Sequence, residues 1–130
     1  MTSVIYASVS AFLITWLSLN VIRKRRENRV SIGDGGNLEL KTAIAAQSNA
    51  IEYIPIALLL LFALEYNEAN VLIVHFLGLS LIAGRIIHAR GIISDTLNVR
   101  VLGMQITFFT IIMLAITNLI YLPYENLFKF

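Results

Sequence analysis

AAQSNAIEYIPIALLLLFAL, residues 45–64, is a run of twenty residues in which Glu52 is the single charge, three places after Asn49 and three before Pro55. At about 1.5 Å per residue a helix of this length matches a hydrocarbon core of about 30 Å. A carboxylate at that depth costs roughly 2.5–3.5 kcal/mol, so it is retained with a polar partner. The stretch reads as a membrane helix with a functional carboxylate in it.

The rest of the chain agrees. Of its 130 residues 58% are apolar and 14% charged, with a mean hydropathy of +0.78, and the apolar residues gather in four runs, Val4 to Ile22, Ala43 to Leu64, Val71 to Ile87 and Val101 to Leu122. The expected class is therefore all-α, an integral membrane four-helix bundle, residues 1–130 forming one domain with helices at about 2–28, 38–66, 69–91 and 98–122. No basic stretch precedes the first run and no small-residue cleavage site follows it, so it reads as a retained helix. With no cysteine, disulfides, thiolate ligands and a cysteine nucleophile are excluded, and any thiol must come from outside. No metal site is expected.

Charge placement sets the expected orientation. Arg23, Lys24, Arg25, Arg26, Arg29, Lys41, Arg85, Arg90 and Arg100 surround the first and third connections, and the second connection, 65–70, carries only acids. The positive-inside rule puts both basic loops in the cytoplasm and both termini outside. Tyr6, Tyr66, Tyr121 and Tyr124 then form an aromatic belt at the outer interface, and His75 is an interfacial histidine beside them. The five cations between Arg23 and Arg29 read as a cytoplasmic helix end, not as a nucleic-acid patch. Gly33, Asp34, Gly35 and Gly36 read as turns, without the strand before or the Gly-Lys-Ser/Thr after that a phosphate loop needs.

Counted inward from the outer ends, Glu52 is about 21 Å and Asn49 about 26 Å below Tyr66, and Arg85 and His88 are about 23 and 27 Å below Asn70. Arg23 is about 26 Å below Tyr6 and Arg100 about 32 Å below Tyr121. The unusual polar residues of all four helices thus share one cytoplasmic-side layer. Each has a bland reading as well: Asn49 and Glu52, at i,i+3, serve as interhelical glue, and Arg85 neutralises Glu52 in a buried salt bridge.

Asn49-x-x-Glu52-x-x-Pro55 on the second helix, with Gly84-Arg85-x-x-His88 on the third, Arg23-Lys24-Arg25 closing the first and Arg100 opening the fourth, resembles the MAPEG family, the membrane-associated proteins of eicosanoid and glutathione metabolism. The short loops resemble its compact bacterial branch, which implies a bacterial inner-membrane protein. The resemblance implies a homotrimer that binds glutathione as co-substrate between subunits near the cytoplasmic face. In that reading Arg23, Arg25, Asn49, Glu52, Arg85 and His88 bind glutathione, arginines taking its carboxylates and Glu52 its ammonium. Arg100 is the catalytic residue, a cation that stabilises the thiolate. The implied activity is transfer of glutathione to a lipophilic electrophile, or reduction of a peroxide. Three positions depart from glutathione-using relatives: Ala45 stands for an arginine, Ile92 for a tyrosine and Val101 for a serine. They favour the alternative of a non-catalytic lipid- or thiol-binding protein of the same fold. A small proton-coupled exporter, which carries its glutamate in the first helix, is a remote alternative, because the first helix here has no acid in its apolar run.

Overall fold

The computed structural model describes residues 1–124 as four helices, α1 Ser3–Asn28, α2 Leu38–Tyr66, α3 Val71–Ile93 and α4 Leu97–Ile120. Each is long and apolar enough to cross a membrane. The chain is an all-α membrane bundle, and its boundaries follow from local chemistry. Asn37 and Asn70 cap α2 and α3 by accepting from the amides of Leu40 at 2.9 Å and Leu72 at 2.8 Å. That cap starts α3 two residues later than the sequence suggests, after Glu68 has turned the chain with a φ of 56°. The other end of α3 runs on to Ile93, where Asp95 at φ 50° breaks it. Before Pro123 the last residues of the apolar run leave the helix, since the residue preceding proline is pushed toward extended geometry. Tyr124, placed in the outer belt by sequence, is the last described residue.

α1 and α4 make no close backbone approach; each packs on both α2 and α3. The surface is apolar, with Phe12, Trp16, Leu19, Phe109, Ile112 and Leu119 all more than half exposed. The interior holds an apolar core that includes Leu17, Leu61, Leu81 and Leu114, and with it Ser3, Ser10, Arg85, His88, Thr107 and Thr110. In lipid this is the expected distribution, because apolar residues gain nothing by turning inward while polar ones must find partners. Cross-helix bonds supply several: Gln47 Nε2 donates to Ser18 Oγ at 3.0 Å, and Asn118 Nδ2 to the Leu60 carbonyl at 2.8 Å. Thr110 donates back to the Ile106 carbonyl, so in its 2.6 Å contact with Ser80 it is the acceptor.

The tightest seam joins α3 to α4. A Cβ at Gly91 would run into the backbone of Arg100, one at Gly103 into the backbone of His88, and one at Gly84 would meet Thr107 Oγ1 at 2.9 Å. Small residues here let two helix backbones approach as no larger side chain would. At the end of the bundle that holds the N-terminus, Glu65 of α2 closes the start of α1, its carboxylate accepting from the amides of Thr2 and Ser3 and from the Ser3 hydroxyl. Tyr6 is not a belt residue. It is 4% exposed, with its ring filling the space left by Gly78 and its hydroxyl 2.6 Å from His75 Nδ1. His75 is accordingly a partly buried partner of Tyr6 and not a free interfacial side chain.

Candidate functional site

Where α2, α3 and α4 meet, the guanidinium of Arg85 is fully enclosed, at 0% exposure. Its Nη2 donates to Asn49 Oδ1 at 2.6 Å and its Nη1 to Thr107 Oγ1 at 3.4 Å, and its Cζ lies 5.6 Å from the centre of the Tyr53 ring. Nε has no partner among the described residues. Neither is there an ion pair between Arg85 and Glu52, so the cation is held by dipoles and a ring face, not by a counter-charge. Thr107 can accept because its own hydrogen goes to the Gly103 carbonyl at 2.8 Å.

These contacts fix the direction of the Asn49 amide. A guanidinium only donates, so the atom facing it is Oδ1, and both hydrogens of Nδ2 point elsewhere. Asn49 is partly buried, and Nδ2 has no acceptor among the described residues. One turn along, Glu52 is exposed on the outer face of α2, with no hydrogen bond or ion pair among the described residues. Pro55 lies on the same exposed face.

A second group forms at the start of α4. His88, 5% exposed, approaches the Arg100 carbonyl with Nδ1 at 2.8 Å. A carbonyl only accepts, so Nδ1 carries the hydrogen, and in the neutral ring Nε2 keeps its lone pair. Arg100 itself is exposed, with Gly91 against its backbone and Gly103 against that of His88. The site thus has an inner part that orients, Arg85 with Thr107 and His88, and an outer part that is presented, Asn49, Glu52 and Arg100.

The remaining sequence candidates sit apart. Arg23 is exposed, bonded to Asn20 Oδ1 at 2.9 Å and paired with Glu27 at 3.9 Å. It borders a cleft of about 460 Å³ among the C-terminal end of α1, the N-terminal end of α2 and the α3–α4 turn, with Lys24, Glu39, Thr42 and Asp95. Arg25 is spent on the first loop, donating to the Gly33 carbonyl at 2.7 Å. The fold brings Asn49 to Arg85 and His88 to Arg100, and among the described residues Glu52, Arg23 and Arg25 are bonded to neither pair. Thr107 and Tyr53 were not singled out as site residues from the sequence. The spacing of Gly84 and Gly91 on one face of α3 marks the close approach that puts Thr107 there.

The model of the MAPEG family matches residues 3–120. The chain is also similar to the inner membrane protein YecN of Escherichia coli strain K12, 41% identical over 129 residues that cover 99% of this chain and 98% of that protein. The YecN of Escherichia coli strain CFT073 gives the same figures. With the family's pattern spread over all four helices and a relative matched from end to end, the chain belongs to the MAPEG family.

Proposed function

We propose that the protein is a glutathione-dependent enzyme of a bacterial inner membrane, working at an interface between subunits of a homotrimer on the cytoplasmic side. The observation that carries this reading is the position of Glu52: a carboxylate on the exposed face of a membrane helix, unpaired within its own subunit. Lipid is the wrong neighbour for it. A second subunit covering that face, with an ammonium group between the two, removes the cost.

Asn49 supports the same ligand. Its Nδ2, without an acceptor among the described residues, suits a peptide carbonyl, of which glutathione has two, and Arg85 serves by holding that amide. Arg23, exposed at the rim of the cleft, suits a carboxylate when supplied by the neighbouring subunit. Arg100, exposed and steered by His88, is the cation for the thiolate, which then attacks a lipophilic electrophile or a peroxide. The relative, an inner membrane protein, supports the location, and the basic loops support an orientation with both termini outside.

Titration of glutathione into the detergent-purified protein tests this. Binding should fall at least tenfold in Glu52→Gln with the trimer intact by native mass spectrometry; unchanged affinity removes the reading. A second reading, thiol or lipid binding without catalysis, is favoured by Ala45, Ile92 and Val101, which withhold side chains that glutathione-using relatives supply. It predicts binding without turnover of aromatic electrophiles, and robust conjugation would defeat it.

A further inference from the structure

The cations at the end of α1 divide into two sets. Lys24 pairs with Glu27 at 3.1 Å and with Glu39 at 2.7 Å, and Arg23 shares Glu27. Those contacts occupy both acids nearest the helix end. Asp34, the remaining acid of the loop, is turned to the Gly36 amide at 3.0 Å. Among the described residues no carboxylate pairs with Arg25, Arg26 or Arg29.

These three arginines line one groove of about 360 Å³, whose other walls are Ile22, Val30 and Ser31. Arg25 builds it by tying the loop back through the Gly33 carbonyl. α1 closes with the amide of Val30 donating to the Arg25 carbonyl at 3.0 Å and that of Arg29 to the Arg26 carbonyl at 3.3 Å, a Schellman arrangement that puts Arg29 at φ 54°. Glycine is the residue at home there, and an L side chain is strained. The chain accepts that strain and gains a cation at the rim of the groove. Arg26 stands one helical turn, about 6 Å, beyond Ile22. Ile22 is 44% exposed and ends the apolar run of α1. The groove therefore straddles the depth where acyl chains give way to headgroups, with apolar side chains below and unneutralised arginines above.

We propose that this groove binds the headgroup of an anionic phospholipid, its phosphate between Arg26 and Arg29 and its upper acyl chain against Ile22 and Val30. Charge complementarity selects an anionic occupant, and the apolar floor selects a lipid over a free anion. The site is separate from the Asn49–Arg85 centre.

The test compares the wild type with Arg26→Gln/Arg29→Gln and with Lys41→Gln/Arg90→Gln, which removes the same charge from the same face. Each is delipidated and placed in nanodiscs of phosphatidylcholine with a graded fraction of phosphatidylglycerol, and protein-associated lipid is quantified by mass spectrometry. The wild type should enrich phosphatidylglycerol, with enrichment falling about fivefold per arginine in the first variant and holding in the second. Ser31→Glu, which keeps both arginines and puts an anion at the rim, should also lose it. Equal losses in the two double variants would reduce the site to diffuse surface charge. Inorganic phosphate that raises the unfolding midpoint in neutral detergent as much as the lipid does would make the ligand a free anion, and either result overturns the proposal.

Discussion

The imidazole of His88 donates through Nδ1 to the backbone carbonyl of Arg100 across 2.8 Å. The guanidinium of Arg100 takes no part in that bond, yet its place depends on it, because the bond and the glycines beside it fix the first turns of α4 against α3. His88→Phe keeps most of the ring volume and deletes the bond. The expected loss is about 1 kcal/mol of stability, read from the unfolding midpoint in detergent, and an unchanged midpoint would show that the bond contributes nothing.

Gly91→Ala and Gly103→Ala should both be harsher than their size suggests. Each methyl meets backbone of the facing helix and not a side chain that can swing away, so the helices must separate, at about 1–3 kcal/mol each. Gly33→Ala and Gly36→Ala find open space and suffer only from backbone angles of 73°. Thermal denaturation of the four variants should rank the seam pair below the loop pair.

Removing Asn49 should hurt more than removing Arg85. Asn49→Ala leaves a fully buried guanidinium short of its best acceptor, a change on the order of 3 kcal/mol. Arg85→Met takes the charge away along with the need for a partner, and Asn49→Leu/Arg85→Met should recover much of the loss. A double-mutant cycle checks this: strictly additive effects would mean that the 2.6 Å bond couples nothing.

At the start of α1, Glu65→Ala takes away the acceptor of the Thr2 and Ser3 amides and of the Ser3 hydroxyl. We expect the first turn of α1 to fray, with about 1–2 kcal/mol lost at that cap. Hydrogen exchange should quicken at Thr2 and Ser3 and not in the middle of α1; equal protection in the variant would assign the capping elsewhere.

Much of this was readable in advance, for one physical reason. In a segment destined for lipid any polar residue stands out, so Asn49, Glu52, Arg85 and His88 identify themselves against a background of Leu and Ile. The four helices follow from length and hydropathy alone. Which face points inward does not, because lipid and core are equally apolar and α1, α2 and α3 carry no amphipathic stripe. Tyr6 illustrates this: its position at a helix end suggests a belt, and only the absent side chain of Gly78 brings it inside. Thr107 was silent for the same reason, a threonine among Phe, Ile and Met whose hydroxyl matters only once Gly84 has let α3 come close. Arg85 and Glu52 have the right charges and depth for a salt bridge, but one turns into the bundle and the other out of it.

The separation of α1 from α4 has a bearing on how the chain tolerates change. A residue of α1 and a residue of α4 that share no neighbour on the two central helices have no path by which one feels the other. Paired substitutions of that kind should add in free energy, so the two flanking helices are free to drift independently over generations. A residue at the α2–α3 contact is judged by every helix at once, and there a tolerated change in one position will commonly need a second to accompany it.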